Sequence, residues 1–151
     1  MKTRLIYAMV LTMVVFAFIG CSKDDANSNE KEALKVTVSS SSDFTNDLSD
    51  VSVLVGTYDS NGKPMQWTVN GESGTDGQDL YTVNKEYFYG GKTAVLQSLP
   101  NYLTASVTIS AFSITVPFSV TYKVEQGNTI KVEKTVEIKP GASPLVVQLS
   151  Y

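Results

Sequence analysis

Between Tyr102 and Glu125 the chain alternates apolar and polar residues, and the phase of that alternation changes once. Leu103, Ala105, Val107, Ile109 and Ala111 occupy odd positions, with Tyr102, Thr104, Ser106, Thr108 and Ser110 between them. From Phe112 the apolar residues are even: Ile114, Val116, Phe118, Val120, Tyr122 and Val124. A period of two is a strand with one buried face. A single strand of this length would run to more than about 75 Å, far beyond a normal strand. The flip therefore predicts a bulge, a bend or a tight turn near 111–113. Pro117 falls on the outward face, as suits an edge or a bulge.

The same period recurs on both sides. Leu34, Val36 and Val38 alternate with Lys35, Thr37 and Ser39. Val51, Val53 and Val55 follow, with Leu54 opposite, which predicts a strand covered on both faces. Asn61-Gly62 is a hairpin signal between Tyr58 and a return strand carrying Trp67 and Val69. Gly71 to Asp79 reads as a polar loop, after which Tyr81 and Val83, then Ala94 and Leu96, start further strands. Gln126-Gly127 turns into Ile130, Val132, Val136 and Ile138, and Pro140 to Pro144 breaks the chain before Leu145, Val147 and Leu149. No helical period appears after residue 20. The expected fold is all-β, an antiparallel two-sheet sandwich of about eight strands over 33–151. In architecture it resembles immunoglobulin-like or transthyretin-like sandwiches, and Trp67 resembles a tryptophan packed between two sheets. The disulfide of true immunoglobulin domains is absent. A closed barrel would give the same alternation.

The first twenty residues differ in kind. Lys2 and Arg4 precede sixteen uncharged residues, Leu5 to Gly20. As a helix these span about 24 Å, short of a hydrocarbon core of about 30 Å. This is the pattern of a cleaved signal. It ends on Phe18-Ile19-Gly20-Cys21, and Cys21 is the only cysteine in the 151 residues. "FIGC" resembles the lipobox of bacterial lipoproteins, with phenylalanine where leucine is preferred. The resemblance implies that Cys21 is acylated and becomes the first mature residue. "CSKDD" resembles the start of Bacteroidota surface lipoproteins, which implies that Ser22, Lys23, Asp24 and Asp25 form an export signal. The expected partner is then the outer membrane, held through the lipid on Cys21, with the domain facing the cell exterior. Residues 21–32 hold almost nothing to bury and are expected to be a disordered tether.

Chemistry is limited by what is missing. There is no histidine, and Cys21 is committed to the anchor. That removes the usual general base, cysteine nucleophiles and thiolate metal sites. Without Lys2 and Arg4 the 12 basic residues become 10 against 15 acids, a net charge of −5. Nucleic acid is not an expected partner. Glu72, Asp76, Asp79 and Glu86 are the candidates for paired-carboxylate glycoside hydrolysis, but they read as solvated loop acids. "ESGTDGQD" offers oxygens of the kind calcium takes, without EF-hand spacing. No catalytic residue, cofactor or metal is expected.

Tyr87, Phe88 and Tyr89 are consecutive beside Gly90-Gly91. If the run is extended, the two tyrosines share one face and Phe88 takes the other. Phenylalanine has no polar tip, so Phe88 is expected in the core and the tyrosines on the surface. Tyr87 and Tyr89, with Asp76 and Asp79 from the loop, are the candidate ligand contacts. Three classes of function follow from the sequence. The favoured one is a non-catalytic binding or adhesion module for a glycan or protein. The others are a structural subunit of an envelope complex, such as a glycan-uptake or fimbrial assembly, and a carboxylate-based enzyme. A fimbrial subunit with arginine-directed maturation is disfavoured, because no arginine follows Arg4.

Overall fold

The computed structural model describes residues 31–45, 48–74 and 80–151. The signal peptide, Cys21, the Ser22–Asp25 motif, Asp76 and Asp79 lie outside the described residues.

Among the described residues there are ten strands and one helical turn. They are β1 (Leu34–Ser40), β2 (Asp50–Tyr58), β3 (Trp67–Val69), β4 (Glu72–Ser73), β5 (Tyr81–Val83), α1 (Lys85–Phe88), β6 (Thr93–Ser98), β7 (Thr104–Phe112), β8 (Phe118–Gln126), β9 (Thr129–Ile138) and β10 (Leu145–Ser150). One sheet has the order β4-β3-β6-β1-β8-β9 and the other β10-β7-β2-β5, with every pairing antiparallel. The molecule is a two-sheet sandwich. The return strand expected at Trp67 and Val69 is β3; the strand that the alternation does not announce is β4, whose two residues are too few to alternate.

Alternation decides the core. Leu34, Val36 and Val38 of β1, Ala94 and Leu96 of β6, and Val120, Tyr122 and Val124 of β8 face inward from the larger sheet. Val51, Val53 and Val55 of β2 meet them from the smaller sheet, with Ala105, Val107, Ile109 and Ala111 of β7. Leu54, opposite this face, is only half-buried, so β2 is covered fully on one side. Trp67 is buried at one margin.

The phase flip marks a change of sheet. β7 ends at Phe112 in the smaller sheet and β8 begins at Phe118 in the larger. Two predictions about its flanks fail. Ile114 and Val116 are exposed, because they cross between sheets instead of belonging to β8. At the start of β7, Tyr102 is buried and Leu103 is exposed, the reverse of the extrapolated phase. The strand begins only at Thr104, and Asn101 has φ of 62°, which turns the chain before pairing starts.

The edge strand β9 carries its own protection. Lys134 of β9 pairs with inward-facing Tyr122, so its charge projects from the inner face at the sandwich margin. Val132 and Val136 flank it, half-buried, opposite Val124 and Val120. A charge set inward on an edge strand blocks sheet-to-sheet association. A bulge at Lys131, where Val132 pairs with Val124 but Ile130 with Glu125, turns Ile130 outward.

Candidate functional site

The site is built on a turn that the sequence signals locally. Asn70 and Gly71 have φ of 50° and 84° and join β3 to β4. Two consecutive positive-φ residues of this type make the tight hairpin turn that Asn-Gly favours. The first part of the expected Gly71–Asp79 loop is therefore a hairpin, with Val69 opposite Glu72 and Thr68 opposite Ser73.

Asn70 is held from three directions. Its backbone N–H donates to Val95 O at 2.8 Å, and its side-chain oxygen accepts from Val95 N at 2.9 Å. Its side-chain amide donates to the Tyr87 hydroxyl, which donates in turn to Thr93 O at 3.1 Å. The turn, α1 and β6 are thus locked together. On the other side the Tyr81 ring lies against Gly74, where an added Cβ would stand 2.6 Å from the ring. Only glycine permits that approach.

Between these walls lies an open cleft of about 420 Å³, lined by Val69, Asn70, Glu72, Ser73, Tyr81 and Tyr87. That volume is on the scale of small-molecule sites. Two phenol rings offer flat apolar faces with polar tips. Glu72 adds a carboxylate, Asn70 an amide and Ser73 a hydroxyl. Such a lining suits a ligand with both an apolar face and hydroxyl or amide groups. Among the described lining residues Glu72 is the one carboxylate, and glycoside hydrolysis uses a pair. Glu86 is exposed and does not line the cleft. Among the described residues, no three His, Cys, Asp or Glu side chains cluster as metal ligands.

The structure separates the two candidate tyrosines. Residues 85–88 form a helical turn, not an extended run. Successive side chains then point about 100° apart instead of alternating. Phe88 is fully buried, as its chemistry predicts. Tyr87 lines the cleft, but Tyr89 packs its ring 5.3 Å from Phe44. The Tyr89 hydroxyl is buried and finds no partner among the described residues. The expectation of a wet hydroxyl on Tyr89 is corrected. Glycines at 90 and 91, with φ of 74° and 85°, fold the chain back and seat Tyr89 inward. Asn70 and Tyr81 were absent from the sequence-based contact set. The Asn-Gly dipeptide after Val69 was the signal for the first. Nothing local marks Tyr81, which reaches the cleft through pairing of β5 with β2.

No model of a known protein family matches the chain. No curated protein matches its sequence. Solved structures do resemble it in fold. One is a crystal structure of a domain of unknown function, DUF4425, from Bacteroides vulgatus, with TM-score 0.59, 19% identity, and coverage of 80% of this chain and 94% of that one. A DUF4425 family protein from Bacteroides ovatus gives TM-score 0.54 and 20% identity over 80% of this chain and 94% of its own. The calcium-bound form of a protein from Parabacteroides distasonis gives TM-score 0.59 and 15% identity over 85% and 98%. At these identities the likeness concerns the fold.

Proposed function

We propose that this chain is a lipid-anchored lipoprotein of the outer membrane, facing the cell exterior, whose sandwich is a non-catalytic binding or adhesion module. The observation that carries the binding reading is the cleft that Tyr81 and Tyr87 line together with Glu72, Asn70 and Ser73. The lipobox-like "FIGC" and the following "SKDD" supply the address. The ligand is a glycan or a protein segment that places a flat apolar face against the tyrosines. The test is a glycan array and a peptide array probed with the chain from Cys21 to Tyr151. Tyr81→Ala and Tyr87→Ala should each lose the signal while keeping the β-sheet circular dichroism of the parent. Equal binding by both variants would move the contact surface elsewhere. The anchor is tested by metabolic labelling with a fatty acid: Cys21→Ala should take up no label, and equal label would sink the lipoprotein reading.

A second reading is favoured by one observation, the calcium-bound state of the Parabacteroides neighbour. Glu72 stands at the cleft, and Asp76 and Asp79 follow it in "ESGTDGQD". In this reading the segment holds calcium through carboxylate and backbone oxygens. Calcium should then raise the melting temperature, and a chelator should reverse the rise. Identical melting with and without calcium would reject it.

A further inference from the structure

Both ends of the sandwich expose aliphatic side chains. At one end are Leu48, Ile114 and Val116, and at the other Leu99, Leu103 and Ile130. Apolarity alone does not choose between them. The place of Lys31, the first described residue, does. The Lys31 carbonyl accepts from Asn101 N at 2.7 Å, and its ammonium donates to Leu103 O at 2.7 Å while lying 5.0 Å from the centre of the Tyr102 ring. Residue 31 is therefore pinned to the same loop that carries Leu99 and Leu103. Gly127 N donates to Ala33 O, which brings the β8–β9 turn, next to Ile130, to the same end.

We propose that this end of the sandwich rests on the lipid surface, with Leu99, Leu103 and Ile130 entering the interface. The proposal rests on the reading of Cys21 as a lipidated residue. Nine residues, Ser22 to Glu30, separate the anchor from Lys31. Fully extended they reach about 30 Å. Contact with the membrane is then intramolecular, and a short tether makes even a small patch effective. Leu99 is 49% exposed, Leu103 60% and Ile130 52%. About half of each side chain is thus free to leave water. Removing the two leucines from water favours the docked state by about ten- to hundredfold. Among the described residues no basic cluster assists: the Lys31 ammonium is engaged by Leu103, Lys35 and Lys123 face Glu125, Lys131 beside Ile130 is a single exposed lysine, and Glu32 is exposed. The fitting surface is therefore the apolar layer of a membrane, entered by apolar side chains with no call on anionic headgroups.

The single thiol makes the test direct. The chain from Cys21 to Tyr151, which holds every described residue, is coupled through Cys21 to a maleimide lipid in phosphatidylcholine vesicles. Amide exchange is compared for coupled and free protein. Peptides covering 99–103 and 128–131 should exchange about tenfold more slowly when coupled, and 113–117 should be unchanged. The double variant Leu99→Ser, Leu103→Ser should lose the slowing while β1 and β8 exchange as slowly as in the free parent, which shows that the fold is kept. Equal exchange at 99–103 in coupled and free protein, or slowing at 113–117 instead, overturns the proposal. Chemical coupling replaces enzymatic acylation here, so failure of the docking and failure of the lipoprotein reading, tested by fatty-acid labelling, are read separately.

Discussion

Truncating Phe88 tests how the helical turn is held. Phe88 is completely buried, with its ring edge-on to Tyr87 at 5.5 Å between centroids. An aromatic side chain removes about 150–250 Å² from water, and at about 25 cal/mol per Å² that is about 4–6 kcal/mol. Alanine retains part of that burial, so Phe88→Ala should cost about 3–5 kcal/mol, including the cavity. The backbone contribution survives. Phe88 O still accepts from the Ser40 hydroxyl at 2.6 Å and from Gly91 N at 3.3 Å. A domain of this size has a total stability of about 5–15 kcal/mol, so the variant should fold but melt far lower. Urea unfolding followed by circular dichroism measures the loss, and an unchanged m-value shows that the same surface unfolds. A loss below about 1 kcal/mol would mean that the turn moves to refill the space, and that α1 is not anchored by this ring.

The neighbouring Tyr89 gives the opposite result. Tyr89→Phe removes a buried hydroxyl that has no partner among the described residues, so it should be neutral or stabilising by up to about 1 kcal/mol in the same urea assay. Replacing Lys134 by valine would join Val132 and Val136 into one apolar edge; size-exclusion chromatography with light scattering should show self-association that the parent lacks. The pH dependence follows from Tyr102, whose phenol is pushed above its ordinary value by burial, partly offset by a hydrogen bond from the Gln126 side chain. Its folded value exceeds its unfolded value, so its neutral form stabilises the fold fully below pH about 10, and that contribution is lost as pH rises through the raised value. Tyr102→Phe should flatten this alkaline loss of stability in thermal melts across pH 8–11, scanned over a range around the ordinary tyrosine value of about 10.

What the sequence alone determined is what a period of two determines. The strands of the core, and the faces of Val36, Val53, Ile109 and Val120, follow from neighbours two residues away, because a pleated strand sends alternate side chains to opposite sides. The break in phase near residue 112 was also local, since no regular strand can bury both sets. Asn61-Gly62 was legible for the same reason, and Asn70-Gly71 carried the same signal at the heart of the cleft. Tertiary structure decided the rest. Whether β8 continued beside β7 or crossed to the other sheet depended on pairing with β1, and that left Ile114 and Val116 in water. The run Tyr87-Phe88-Tyr89 has no strand partner, so nothing enforced the extended form; it closed into a turn that sent Phe88 and Tyr89 inward and left Tyr87 to Asn70. That residue 31 lies at the end carrying Leu99, Leu103 and Ile130 was decided by its hydrogen bond with Asn101 of the β6–β7 connection, a contact between residues 70 positions apart. Such contacts are selected by the closing of two sheets over one core, and no window of sequence contains both partners.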